Sequence, residues 1–212
     1  EIGSGLVGSE MCIRDRCALE PGAVLRVKDA ATLMIIVSDN VATNMMIDYL
    51  GLDTINACIR GLGCRDTVLY NPLHFERYDK LGTSTPRDYA SIFTRLAAGT
   101  LISPEADAKM LEIFKKQHYN SMITKDFPAV YMDSDNTDDV MVNVASKSGS
   151  MNACRNDGGI IYTPYGPYVL VMFNKKFSDA MYYPAHPATV FGARVSRMLF
   201  DQFIALEGRF QM

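Results

Sequence analysis

The sequence predicts an α+β fold in which a helical lobe precedes an antiparallel β-sheet that a C-terminal helix covers. Apolar residues recur at helical spacing through the first half of the chain. Beyond about residue 140, the apolar runs become short and rich in β-branched and aromatic residues, which favour strands. The chain closes with one long amphipathic segment. With 212 residues, 48% of them hydrophobic and 21% charged, it can bury a core as one large domain or as two lobes.

Two helices are predicted on either side of a short loop at Ser38-Asp39-Asn40. The first covers residues 27–37, an apolar run that is long enough for a buried helix. The second covers residues 44–51. The shared apolar face of this second helix consists of Met46, Tyr49 and Leu50. Because both helices carry apolar residues for packing, we expect the tripeptide to lie on a tight and rigid connection.

Three further helices are predicted from their end signals. Asp53 is expected to cap a short helix that ends at Gly61. Thr85-Pro86 begins the next helix, and Gly99 stops it. The apolar face of that helix consists of Tyr89, Ile92, Phe93 and Leu96. Ser103-Pro104 begins the third.

The second half of the chain predicts a sheet and its cover. Strands are expected at residues 141–145, 159–162 and 168–174, and the last two are joined by a hairpin turn at residues 163–167. A closing helix is expected at about residues 187–206. Its predicted inward face consists of Phe191, Val195, Leu199 and Phe203. That face would cover one side of the sheet.

Charge and composition argue against several functional classes. The formal net charge is −3, and no long basic run offers an electrostatic surface for nucleic acid. No apolar stretch approaches the ~18 residues of a membrane span. The histidines are scattered and the cysteines lack zinc spacing, so neither a metal nor a cofactor is predicted. Most of the five cysteines, at positions 12, 17, 58, 64 and 154, are expected to be small buried thiols, and a pairing of Cys58 with Cys64 is the alternative.

The first sixteen residues differ from the rest of the chain. They have neither a helical nor a strand period, and no basic start precedes an apolar core, as a signal peptide would require. We predict that residues 1–16 are a foreign segment, with a disordered native terminus as the alternative. Residues 17–130 would then form the helical lobe, and residues 131–212 the sheet with its C-terminal helix.

Two short motifs predict the chemistry: Ser38-Asp39-Asn40 and, far along the chain, Lys147-Ser148-Gly149-Ser150. A second Ser-Asp-Asn copy begins at Ser134, inside an acidic run without apolar periodicity, and we expect it to be a solvated turn. That run lacks the glycine and the glutamate of a calcium-binding loop at the sixth and twelfth places. No serine in the sequence is followed three residues later by a lysine.

These motifs, in this order, resemble those of class A β-lactamases and penicillin-binding serine hydrolases, in which a Ser-x-x-Lys supplies the nucleophile. The resemblance covers roughly residues 19–206. It rests also on Ala42-Thr43-Asn44, on the helix opening Thr83-Ser84-Thr85-Pro86 and on residues 155–162. It implies the α+β fold of that family, with its N-terminal strands and its nucleophile helix missing from this chain.

The resemblance implies a role for the residues of both motifs. Ser38 would relay a proton to the departing nitrogen, and the Lys147 ammonium beside it would lower the cost of that transfer. Lys147 and Ser148 would hold the carboxylate of the substrate. Gly149 would let the substrate approach the strand edge, and the N–H group of Ser150 would donate to the oxyanion.

Three further residues are candidates for the site. Asn40 would hydrogen-bond the amide side chain of the substrate. Glu76 is a candidate for the base that activates the hydrolytic water, but a solvated loop carboxylate beside Arg77 is an equal alternative. Arg155 is a candidate for binding the substrate carboxylate, and a surface ion pair with Asp157 is its alternative.

We therefore predict a β-lactamase-like serine hydrolase that opens β-lactam rings through an acyl-serine intermediate, present here as a fragment that is itself inactive. A D-Ala peptidase or esterase of the same fold is one alternative. A non-catalytic module that binds β-lactams or peptidoglycan peptides is another. The resemblance implies a small β-lactam or D-Ala peptide as the substrate, no cofactor, and a periplasmic or secreted location for the full-length protein.

Overall fold

A computed structural model describes residues 2–3, 22, 24–78, 80–119, 122–132 and 141–209. Outside these described residues lie the second Ser-Asp-Asn copy, Cys12, Cys17 and most of residues 1–16. The chain forms two compact units, residues 1–88 and residues 89–212. The domain limits expected at residues 16 and 130 stay predictions.

The described part of the first unit contains three helices and two short strand pairs. The helices are α1 (Val27–Ile36), α2 (Asn40–Leu50) and α3 (Leu52–Gly61), so the helices expected on either side of Ser38-Asp39-Asn40 are confirmed. The strand pairs are β1 (Ile2–Gly3) with β2 (Val24–Leu25), and β3 (Val68–Leu69) with β4 (Gly82–Thr83); both are antiparallel. Helices α1 and α2 share a core of Ala30, Val41, Ala42 and Met45.

The apolar face expected for α2 is wrong at two of its three positions, since Met46 is half-buried and packs against the shared core. Tyr49 and Leu50 are 58% and 44% exposed. The helix buries Val41, Ala42 and Met45 instead, because these residues lie on the side that packs against Ala30 of α1.

One local prediction in the same unit is also wrong. The N-cap of α3 is Gly51, so Asp53 lies in the first turn, where a carboxylate interacts with the helix dipole without capping the helix. The helix does end at Gly61, as expected. Cys58 is exposed and Cys64 is buried, and no disulfide joins the two, so the alternative pairing is not found.

The second unit carries the rest of the helices and the main sheet. Its helices are α4 (Pro86–Ala97), α5 (Pro104–Phe114), α6 (Ala129–Met132) and α7 (Pro187–Ala205); the first three residues of α4 belong to the first unit. The strands are β5 (Asn143–Ser146), β6 (Gly149–Met151), β7 (Cys154–Thr163) and β8 (Gly166–Lys175). Helices α4 and α5 begin at the two predicted prolines, and the Ser103 hydroxyl caps α5 by accepting from the Ala106 N–H at 3.2 Å.

Strand β7 is the centre of the sheet. It pairs with β8 along its whole length, and the turn between them is the predicted hairpin. On its other side it pairs first with β6 and then with β5. All of these pairings are antiparallel, so the expected α+β fold with an antiparallel sheet is confirmed.

Helix α7 covers the sheet, and Phe203 is buried as expected, but two other positions of the expected face are not buried. Phe191 and Leu199 are 62% and 42% exposed. The buried positions are Gly192, Ala193, Ser196, Phe200 and Phe203. The physical reason is a close approach to the segment before α6. A Cβ atom at Gly192 would lie 2.4 Å from Met122 Sδ, and the Ser196 hydroxyl donates to the Ile123 carbonyl at 2.7 Å.

Across the residues that the structure describes, no helix is both long and apolar enough to cross a bilayer. The same residues contain no group of three or more His, Cys, Asp or Glu side chains that could hold a metal ion.

Candidate active site

The Ser38-Asp39-Asn40 tripeptide is held rigidly between α1 and α2. Ser38 has a φ of 52°, a left-handed conformation that is uncommon for any residue but glycine. Asp39 is 1% exposed, and its Oδ1 accepts from the Ala42 N–H at 2.7 Å, so it is the N-cap of α2. The Asp39 carbonyl accepts from the Thr43 hydroxyl at 2.7 Å. Asn40 is half-buried as the first residue of the helix.

A buried asparagine on α2 fixes the loop that contains Glu76. The Asn44 side chain, 2% exposed, donates to the Leu73 carbonyl at 3.2 Å and accepts from the Leu73 N–H at 2.8 Å. Glu76 lies three residues further along, exposed in a turn. Asn44 belongs to the Ala42-Thr43-Asn44 stretch that supports the family resemblance, but no role was predicted for its side chain. Its spacing of four residues from Asn40 was the only local signal.

The Lys147-Ser148-Gly149-Ser150 motif lies on one continuous strand run along β7. The pairings of Ser146 with Gly159 and of Gly149 with Asn156 belong to the same register, so Lys147 and Ser148 continue β5 into β6. The Lys147 N–H donates to the Gly158 carbonyl at 2.9 Å. The structure therefore brings all four motif residues together on one side of β7.

The side chains of this motif differ in exposure. Ser148 is buried at 8% exposure, whereas Gly149 and Ser150 are exposed. The Lys147 ammonium is half-buried and donates to the Ser148 carbonyl. A Cβ atom built at Gly149 would meet no described atom within 4 Å, so the strand offers open space at that position.

Arg155 lies opposite Ser150 in the pairing of β6 with β7, but its guanidinium hydrogen-bonds to backbone carbonyls of this chain. It is 4% exposed and donates to the backbone carbonyls of Met151, Cys154 and Met181. The guanidinium carbon lies 4.3 Å from the centre of the Tyr182 ring. A surface ion pair is therefore wrong as the alternative, because the residue is buried. These contacts hold the β6–β7 turn, and a substrate-binding role stays a prediction.

Solved structures with the same fold include β-lactamases and a penicillin-binding protein. A β-lactamase from Sphaerobacter thermophilus DSM 20745 is 30% identical, with a TM-score of 0.71, over 87% of this chain and 65% of that one. PBP-A is 28% identical, with a TM-score of 0.70, over 89% of this chain and 65% of that one. A class A β-lactamase from Bacteroides cellulosilyticus DSM 14838, at 18% identity, has a TM-score of 0.75 over 96% and 73% and shows the fold alone.

The fold and the two motifs thus define a protein of the β-lactamase and penicillin-binding class. The model of the β-lactamase enzyme family matches residues 9–203, and the chain belongs to that family. The match begins inside the segment that was expected to be foreign. The chain spans 65% of the length of the Sphaerobacter enzyme and of PBP-A. No curated protein sequence is significantly similar to it.

Proposed function

We propose that this chain carries the proton-transfer and carboxylate-binding residues of a serine hydrolase that opens β-lactam rings through an acyl-serine intermediate. The observation that carries the proposal is the run Lys147–Ser150, where an ammonium and a hydroxyl are followed by an open glycine and an exposed serine. An ammonium and a hydroxyl together suit a carboxylate, because one of the two hydrogen bonds is charge-assisted.

The proposed reaction assigns a proton path to Ser38. A nucleophilic serine gives up its hydroxyl proton and adds to the lactam carbonyl carbon, the carbon–nitrogen bond breaks, and the proton is returned to the leaving nitrogen through Ser38. Ser38 delivers that proton, and the Lys147 ammonium favours the transfer. The N–H group of Ser150 stabilises the charge that develops on the carbonyl oxygen. Asn40 holds the amide side chain of the substrate.

The nucleophile is not among the motifs of this sequence, since no serine is followed three residues later by a lysine. We therefore expect the 212-residue chain to bind β-lactams without hydrolysing them. The test is a nitrocefin assay combined with an NMR titration with benzylpenicillin. Binding without turnover supports the proposal, whereas ordinary nitrocefin turnover would contradict the expected inactivity.

Lys147→Ala tests whether binding uses the proposed carboxylate site. Hydrogen bonds to charged groups contribute about 1.5–3 kcal/mol, so we expect roughly 10- to 100-fold weaker benzylpenicillin binding. Lys175→Ala is the matched control, because Lys175 is exposed at the end of β8. Equal affinities for both variants would exclude the site.

A D-Ala peptidase or esterase of the same fold is the second candidate, and the loop after β3 favours it. The loop residue that Asn44 holds in place is Leu73, which cannot activate water, and Glu76 is exposed in the turn. Without a positioned base, an acyl-enzyme would persist. Mass spectrometry on the protein from the complete reading frame, with and without Glu76→Gln, tests this, because a long-lived benzylpenicillin adduct in both favours the peptidase.

The proposal also includes a binding-only alternative and a location for the protein. A non-catalytic binding module remains the interpretation if the complete reading frame contains no Ser-x-x-Lys. We also propose a periplasmic or secreted location, since β-lactams and D-Ala peptides are encountered outside the cytoplasm. Fractionation of cells that express the complete reading frame checks that location.

A further inference from the structure

The backbone ladder of the sheet opens at Lys147. The register places Lys147 opposite Gly158, and the Lys147 N–H donates to the Gly158 carbonyl. In a hydrogen-bonded antiparallel pair, the opposite residue returns its own N–H to the first carbonyl. Here the Gly158 N–H donates to Asp157 Oδ1 at 3.0 Å, and the Lys147 carbonyl accepts from the Tyr89 hydroxyl at 3.0 Å. The Gly158 N–H and the Lys147 carbonyl, which would make the returning bond, are both hydrogen-bonded to side chains instead.

Tyr89, on α4, is aimed at this point by close packing. A Cβ atom at Gly158 would lie 2.6 Å from Tyr89 Cε1, so the ring occupies the space that the missing side chain leaves. Its centre lies 5.2 Å from that of Phe93, edge to face, and 5.8 Å from that of Phe173. Burial, with the nearby Asp157 carboxylate, raises the pKa of the Tyr89 hydroxyl, which therefore stays protonated as a donor.

Asp157 holds the opposite side of the open pair. It is 2% exposed, and its Oδ2 accepts from the N–H groups of Met122 and Ile123, each at 3.1 Å. The carboxylate is therefore fixed by the backbone before it accepts from the Gly158 N–H. Neither the Gly158 N–H nor the Lys147 carbonyl is left unsatisfied by the opening, because each has a positioned side-chain partner.

We propose that Tyr89 is a positioning residue, whose hydroxyl holds the Lys147 carbonyl out of the ladder and so orients the Lys147-Ser148-Gly149 edge for a ligand carboxylate. The binding part of this inference rests on the proposed function. The hydrogen bond itself does not, since it is a property of the ligand-free chain. Residues 147 and 148 connect β5 to β6, so the direction of the Lys147 carbonyl also sets that of the next peptide group.

Tyr89→Phe tests the inference, because it removes the hydroxyl and keeps the ring. Tyr168→Phe is the matched control. Tyr168 is a β-sheet tyrosine whose buried hydroxyl has no hydrogen-bond partner among the described residues. We expect Tyr89→Phe to shift the Lys147 carbonyl ¹³C and Ser148 amide ¹⁵N resonances of the ligand-free chain. We also expect it to weaken benzylpenicillin binding by roughly three- to tenfold. The control should change neither.

The two readouts separate the possible failures. Unchanged Lys147 and Ser148 resonances in Tyr89→Phe overturn the inference. Shifted resonances with wild-type affinity overturn the role in binding. If the unmutated chain does not bind benzylpenicillin but the resonances shift, the proposed function fails and the positioning stands. A check on the unmutated chain guards against misfolding of the variant. The Tyr89 hydroxyl proton should exchange slowly with solvent, and fast exchange overturns the inference.

Discussion

Asp39 is the residue on which the geometry of the Ser-Asp-Asn loop depends most. Its buried carboxylate caps α2 and its carbonyl accepts from Thr43, so the residue is fixed from both ends. Ser38 next to it carries the uncommon backbone conformation. Such conformations cost about 1–3 kcal/mol and persist only where the surrounding structure imposes them. The cap thus stabilises a backbone position that the chain would not adopt by itself.

Asp39→Ala should destabilise the chain by about 0.5–2 kcal/mol, the usual cost of losing an N-cap, measured by urea denaturation. Asp53→Ala is the control. Asp53 lies exposed in the first turn of α3, whose cap is Gly51, so we expect a change within about 0.5 kcal/mol. Equal losses in the two variants would contradict the assignment of the caps.

Ser38→Gly should be better tolerated than Ser38→Val, although both substitutions remove the hydroxyl. Relief of the left-handed conformation stabilises the folded chain, and the greater freedom of glycine in the unfolded chain offsets this. Ser38→Val should destabilise the chain, because a β-branched residue tolerates a positive φ poorly. Urea denaturation of both variants checks the sign. A more stable Val variant would show that the conformation is not strained.

At the scale of elements, β3 and the loop after it are attached to helices by asparagine side chains. Asn44 of α2 holds Leu73, and Asn56 of α3 exchanges two hydrogen bonds with Leu69, at 2.7 and 2.9 Å. Each asparagine makes the pair of bonds that a strand neighbour would make. Leu69 and Leu73 are therefore each held by a pair of hydrogen bonds of the kind that a neighbouring strand would supply, although β3 is only two residues long.

Asn44→Ala should speed hydrogen exchange at the Leu73 amide and leave that at Leu69 protected, since the two anchors are separate. Asn56→Ala should do the reverse. Each removal leaves a loop amide without its side-chain acceptor, at a cost of about 1–3 kcal/mol where the group is buried. Equal exchange rates at both amides in each variant would show that the loop opens as one unit.

Helix α7 provides a test of element orientation. Phe200 is 1% exposed, and its ring centre lies 4.3 Å from that of Phe127, whereas Phe191 is 62% exposed. Phe200→Ala should therefore destabilise the chain by about 3–5 kcal/mol. Phe191→Ala should cost less than about 0.5 kcal/mol. The reverse order in urea denaturation would restore the face that the sequence predicted.

For the whole molecule, buried tyrosines set an alkaline limit to stability. Burial raises the pKa values of Tyr89 and Tyr168 above the ordinary 10.0. The folded chain then keeps protons that the unfolded chain releases. The stabilisation is complete below pH 10 and is lost as the pH rises from 10 toward the folded pKa values. The free energy of unfolding should therefore fall above pH 10.

The double variant Tyr89→Phe/Tyr168→Phe should flatten that alkaline loss, because phenylalanine has no proton to release. Urea denaturation between pH 9 and pH 11.5 measures the slope. Each single variant should flatten it in part. A double variant with the slope of the unmutated chain would place the alkaline loss in other groups.

Local signals in the sequence determined much of the fold. Thr85-Pro86 and Ser103-Pro104 began helices where they were expected, because a cap and a proline act within one turn of the helix. The turn between β7 and β8 was also predicted, because the residues that favour a turn lie within the turn itself. The two motifs identified the family, because the side chains that the chemistry requires lie next to each other in the chain.

Only the tertiary structure decided which faces are buried and which side chains position the site. Gly192 of α7 meets Met122, Asn44 holds a residue 29 positions away, and Tyr89 reaches a carbonyl 58 positions away. None of these partners lies within the few residues over which periodicity and capping act. The sequence therefore determined the elements and the motif residues. The packing of distant segments determined the buried side of α7 and the opening of the sheet at Lys147.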